Sequence, residues 1–166
     1  MMGKSTIMLS LLLSIGCNSC SNSNEEMVFP EGLQIVSLND SIPFDPEWYN
    51  SEYKIVTYLR GAFPLTSNWA DPIEEFPEIA FLFYVKAKDS TFLKKQLEEF
   101  RYFGPLIHDP EDRFFESNRL DKLDPPHNFI ILAVKDNIIV DIPGKQDNPS
   151  FPEHFRIYLQ KFLDEN

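Results

Sequence analysis

Cysteine is nearly absent: the 166 residues hold two, Cys17 and Cys20, both near the N-terminus. From residue 21 onward the chain therefore has no disulfide, no thiolate nucleophile and no cysteine metal ligand. Positive charge is scarce too, with 15 Lys and Arg against 26 Asp and Glu and a net charge of −11. Such a surface repels nucleic-acid phosphate, which argues against nucleic-acid binding and makes the acidic surplus a solvated, soluble surface. The six glycines build no phosphate-cradling loop and no Gly-x-Ser-x-Gly elbow, and no repeat period is present. The apolar run Ile7 to Ile15 is too short for a bilayer-spanning helix, which needs about 20 residues.

What is present is 43% hydrophobic and 14% aromatic, enough for one folded domain with its own core. Residues 1–16 read as a secretory signal: Lys4 gives a positive charge, an apolar stretch follows, and Gly16-Cys17 closes it. Leu13-Ser14-Ile15-Gly16-Cys17 resembles the lipobox of a bacterial lipoprotein, with Ser14 where leucine is commonest. The resemblance implies cleavage after Gly16, lipid on Cys17 and a partner in the membrane of the cell envelope. Several acyl chains at ~0.8 kcal/mol per buried methylene hold a protein where one chain does not. A soluble secreted protein cut near Cys20 and an uncleaved anchor helix are the competing readings. Residues 17–30 then form the lipidated cysteine and a polar tether, and residues 31–166 the domain.

Within the domain, Leu33 to Leu38 reads as an edge strand, limited by Pro43 and Pro46. Tyr53 to Leu59 is a richer strand, closed by Arg60-Gly61, and Ile79 to Val85 is apolar throughout, as a strand covered on both faces is. Between them Pro64, Pro72 and Pro77 confine any helix to one or two turns from Asp71, where Asp71-Pro72-Ile73-Glu74 resembles a capping box. Asp89-Ser90 cap a helix with Phe92, Leu93, Leu97, Phe100 and Phe103 on one face, stopped by Gly104-Pro105. Leu106 to His108 extends it briefly, and Asp109 to Asp112 opens a short helix carrying Phe114 and Phe115. Phe129 to Val134 and Ile138 to Ile142 make a hairpin about Asp136-Asn137. Ser150 to Glu153 is a capping box before a helix striped by Phe151, Phe155, Tyr158, Leu159, Phe162 and Leu163.

That order, β-α-β, then α, then β-β-α, is similar to the thioredoxin fold, and the segments resemble thioredoxin-like domains of Gram-negative envelope lipoproteins. The resemblance rests on Lys54 to Gly61, Phe81 to Val85, Asp109 to Leu120, and Asn128 to Leu132 with Asn137 to Val140. It implies an α/β architecture, a central mixed sheet of four to five strands flanked by helices. Family enzymes place Cys-x-x-Cys after the first core strand, where a helix N-terminus lowers a thiol pKa. Here that place holds Ala62, Phe63, Pro64, Leu65, Thr66 and Ser67, followed by Trp69: a degenerate active-site region. Thr66 and Ser67 have no neighbouring base to activate a hydroxyl. The family's cis-proline corresponds to Pro125 or Pro126.

Two functions follow as expectations. One is a redox-inactive, membrane-anchored domain that binds or scaffolds an envelope protein. The other is a thiol-disulfide oxidoreductase or peroxiredoxin relative acting without its own cysteine pair. Phe63, Leu65 and Trp69 lie on the rim where the fold meets partners, and either bind there or cover the sheet in place of the lost helix. His108, Asp109, Asp112 and Glu116 are the densest set of potential metal ligands, but carboxylates at a helix start usually act as caps, so neither metal nor cofactor is expected.

Overall fold

The computed structural model of the protein describes residues 26–38, 43–60, 69–122, 129–143 and 151–165. Residues 1–16, Cys17, Ala62 to Ser67, Pro125 and Pro126 lie outside this set. The strands are β1 (Gln34–Val36), β2 (Tyr53–Arg60), β3 (Ile79–Lys86), β4 (Leu106–His108), β5 (Phe129–Lys135) and β6 (Ile138–Asp141). They form one mixed sheet in the order β1-β4-β3-β2-β5-β6. β2 and β3 run parallel in full register from Tyr53↔Ile79 to Arg60↔Lys86, and β5 lies antiparallel on the other side of β2. The central position of β3 follows from its continuous apolar run, Ile79 to Val85, which has no face to offer water, and β2 beside it is buried from Lys54 to Leu59 although Lys54 and Thr57 interrupt its apolar residues.

Among the described residues the sheet has six strands where about four to five were expected, and β4 is the addition. Leu106 to His108 was expected to prolong the preceding helix but is a strand, parallel to β3 and antiparallel to β1. The helix α2 (Ser90–Phe100) has already ended, because Arg101 takes a left-handed φ of 54° and turns its N–H back to Leu97 and Glu98 carbonyls. Its stop therefore lies ahead of Gly104-Pro105. Pro105 has no N–H to continue the ladder, so only Tyr84 and Val85 of β3 pair with β4.

Each face of the sheet carries its own core. Ile55 and Leu59 of β2 pack with Phe81 and Phe83 under α1 (Ala70–Glu75), α2 and α4 (Phe151–Glu165). Val56 and Tyr58 pack with Leu82, Tyr84, Phe114 and Phe115 under α3 (Arg113–Ser117) and the N-terminal segment. The alternation is the period of two that a strand imposes. Among the described side chains of the expected α2 stripe, Leu93 and Leu97 are buried, whereas Phe92 is 48% and Phe103 52% exposed. Phe92 sits about 100° round the helix from Leu93, and Phe103 lies beyond the helix end. On α4 the stripe holds, with Phe155, Leu159 and Phe162 buried.

Capping is uneven. Asp89 caps α2 through its side chain, accepting from Phe92 N at 2.7 Å. The box at Asp71 does not form: α1 begins at Ala70 after Trp69, without a side-chain cap, and Asp71 with Glu75 grips Arg156 of α4 at 3.2 and 2.7 Å. At the β5–β6 turn Asp136 and Asn137 both have positive φ, 48° and 64°, as a two-residue hairpin turn matched to strand twist requires.

Burial raises the hydroxyl pKa of Tyr58, Tyr84 and Tyr102 well above the ordinary value. Below about pH 10 these groups are neutral in both the folded and unfolded chain. Above it the unfolded tyrosines ionise first, so the unfolded state binds fewer protons and stability falls, by about 1.4 kcal/mol per pH unit for each group. The buried Lys54 ammonium has the opposite sign, since burial lowers its pKa and relieves the folded state as pH rises toward the ordinary lysine range. Three tyrosines outweigh one lysine, so urea titrations should show stability declining above about pH 10, with a shallower decline in Tyr102→Phe.

Candidate functional site

The C-terminal ends of parallel strands are where open α/β sheets gather functional side chains, because the connecting loops leave a crevice there. In this chain β2 ends on Arg60 and β3 on Lys86, directly opposite each other. A polar cluster forms around them. Tyr58, two residues before Arg60 and on the same face, donates its hydroxyl to Asp112 Oδ1. The Lys86 ammonium donates to Asp112 Oδ2, and Arg60 Nη2 lies 3.6 Å from the same oxygen. Arg60 Nε donates to the Tyr58 hydroxyl oxygen at 3.1 Å, and its guanidinium stacks 4.9 Å over the Phe115 ring.

Asp112 reaches this place through α3. The Asp109 carboxylate, fully buried, accepts Arg113 N at 2.9 Å and Phe114 N at 2.7 Å, which ties down the first turn. Asp112, just before α3, adopts a left-handed φ of 64°, a conformation that aspartate tolerates better than most residues. Asn118, after the helix, exchanges two 2.8 Å hydrogen bonds with the Val28 backbone and so locks the N-terminal segment against α3.

The electrostatics follow from burial. Tyr58 is pushed up first by desolvation and next by its hydrogen bond to Asp112, so the phenol stays protonated and donates. The Arg60 guanidinium is raised chiefly by its hydrogen bond to Tyr58. Two cations face one carboxylate, and both cation side chains are partly open to solvent, 37% for Arg60 and 40% for Lys86. The cluster can hold a charge; it contains no nucleophile activated by a base.

The sequence-predicted residues fare differently. Trp69 is not on a binding rim: it is buried, edge-on to Phe83 at 5.1 Å and Phe155 at 5.4 Å, and covers the sheet beside the shortened α1. Phe63 and Leu65 lie outside the described residues. The four residues densest in potential ligand groups have separate duties: His108 Nε2 lies 3.1 Å from Ala87 O, Asp109 caps α3, Asp112 pairs with cations and Glu116 is exposed. Among the described residues no three His, Cys, Asp or Glu side chains come together as a metal site. Arg60, Lys86 and Tyr58 were not singled out from the sequence; a charged residue ending each apolar strand is the signal that marks them.

A second feature is a cleft of about 520 Å³ beside the half of β3 that β4 does not reach. Ile73, Phe81, Phe83, Tyr102 and Pro105 make its walls largely apolar, with Trp48 at one side. It lies along the N-terminal half of β3, whereas the polar cluster lies at the strand's C-terminal end.

No family model matches the sequence, and no curated protein matches it. Solved structures do. A secreted disulfide oxidoreductase of Mycobacterium tuberculosis, homologous to the Escherichia coli protein DsbE, superposes with a TM-score of 0.52 at 4% identity, covering 67% of this chain and 82% of its own. A candidate protein disulfide isomerase from Bacteroides thetaiotaomicron gives 0.53 at 9% identity, covering 69% and 75%. A candidate DsbE thiol:disulfide interchange protein from Chlorobium tepidum gives 0.52 at 10% identity, covering 68% and 81%. The fold of this chain is thioredoxin-like, an α/β domain with its mixed sheet flanked by helices.

Proposed function

We propose that the protein is a lipid-anchored lipoprotein of the bacterial envelope whose thioredoxin-like domain binds a partner without performing thiol chemistry. One observation carries this reading: the chain has the fold of thiol-disulfide oxidoreductases, yet its only cysteines, Cys17 and Cys20, precede the domain. A thiolate is the attacking group in disulfide exchange, and no other side chain here replaces it. The anchor rests on the lipobox-like Leu13 to Cys17. Among the described residues no helix is long and apolar enough to cross a membrane, so within them attachment has no spanning segment to use. Mass spectrometry of the membrane-extracted N-terminus tests the anchor: acylated Cys17 is the expected result, and an unmodified Cys17 refutes it.

The second reading, an oxidoreductase or peroxiredoxin relative working through a partner's cysteine, is favoured by the described activity of its structural neighbours. Fold alone does not transmit activity, and the site described above holds cations and a carboxylate rather than a redox group. Insulin-disulfide reduction separates the two readings. The first predicts no turnover.

A further inference from the structure

We propose that Arg60 and Lys86 form a binding subsite for an oxyanion, a carboxylate or phosphate group, on the outer side of their shared contact with Asp112. This deepens the reading of a binding domain by naming its ligand chemistry, and it rests on that reading only for its biological use. Like charges directly opposite on adjacent strands repel. Arg60 and Lys86 stand in that relation, and a single buried carboxylate, Asp112, is shared between them. One positive charge is left over at this point of a chain whose net charge is −11.

The two heads are also held in place. Arg60 is fixed at three points, by Nε on Tyr58, by Nη2 toward Asp112 and by its stack on Phe115. Among the described residues no group accepts from its Nη1, and the Lys86 ammonium makes one described contact with three donors available. A guanidinium edge beside an ammonium, both partly solvated, matches the two-point geometry of an oxyanion and loses little side-chain entropy on binding. The position at the C-terminal ends of β2 and β3 is also where such sheets receive ligands.

The test uses the full chain in detergent, labelled for observation of arginine Nε–H, titrated with sodium phosphate in one arm and sodium acetate in another at constant ionic strength. The expected result is a saturable shift of the Arg60 Nε–H signal with at least one of the two anions. Phosphate alone, acetate alone or both identify the group that the subsite takes. Lys86→Gln should weaken binding about tenfold or more, while Lys94→Gln, on the exposed face of α2, should bind as the parent does. No saturable shift with either anion overturns the proposal, as does unchanged affinity in Lys86→Gln, a substitution that leaves the Arg60 anchoring intact. Thiol turnover would overturn the non-redox reading instead, so the two failures are distinct.

Discussion

Asp109→Ala is expected to destabilise the protein by about 2–3 kcal/mol, because it removes the acceptor of one buried and one partly buried N–H group at once. Both carboxylate oxygens are engaged, one by Arg113 N and one by Phe114 N, and the residue is 0% exposed. Water cannot reach the Phe114 N–H without opening the core around that ring. Asp109→Asn keeps one acceptor and should cost less. The effect should reach the site, since α3 carries Phe115 beneath Arg60 and follows directly on Asp112. Urea unfolding measures it: a lower midpoint with an unchanged slope is the expected pattern, and a loss below about 1 kcal/mol contradicts the capping role.

Trp69→Ala should cost about 4 kcal/mol, the range for removing a large aromatic from a packed core. Its ring sits among Phe83, Phe129 and Phe155, each contact edge-on, and only 2% of the residue is exposed. Trp69→Phe keeps part of that packing and should lose about 1–2 kcal/mol. Equilibrium unfolding of the two variants decides between a core residue and a partner contact. A near-neutral Trp69→Ala would return the residue to the rim.

These residues show what the chain discloses by itself. β3 was legible because seven consecutive apolar positions, Ile79 to Val85, leave few alternatives to a central strand, and the hairpin because Asp136-Asn137 accept the positive φ of a tight turn. The α4 stripe was legible from its three- and four-residue spacing. β4 was not: three residues carry too little periodicity, and its strand character comes from β1 and β3 on either side. The Asp71 box failed because a tertiary partner, Arg156, took the carboxylate.

The polar cluster was illegible for a related reason. Spacing places Tyr58 and Arg60 on one face of β2, but only the β2–β3 register brings Lys86 opposite Arg60, and only the turn before α3 brings in Asp112. Asp112 was visible as an acidic residue near a helix start, with a capping duty as the expectation; the cap proved to be Asp109, and Asp112 was left for the cations. Non-local pairing of this kind leaves no mark in a window of sequence. The missing thiol, by contrast, needs no structure to read.

The most direct test of the account is insulin-disulfide reduction by the mature protein, beside a Cys20→Ser variant that removes the thiol not assigned to the lipid. A thioredoxin-like domain without a thiolate should give no turnover in either protein, with dithiothreitol background as the only rate. Turnover above that background that persists in Cys20→Ser would contradict the claim that this fold is used here for binding rather than redox exchange.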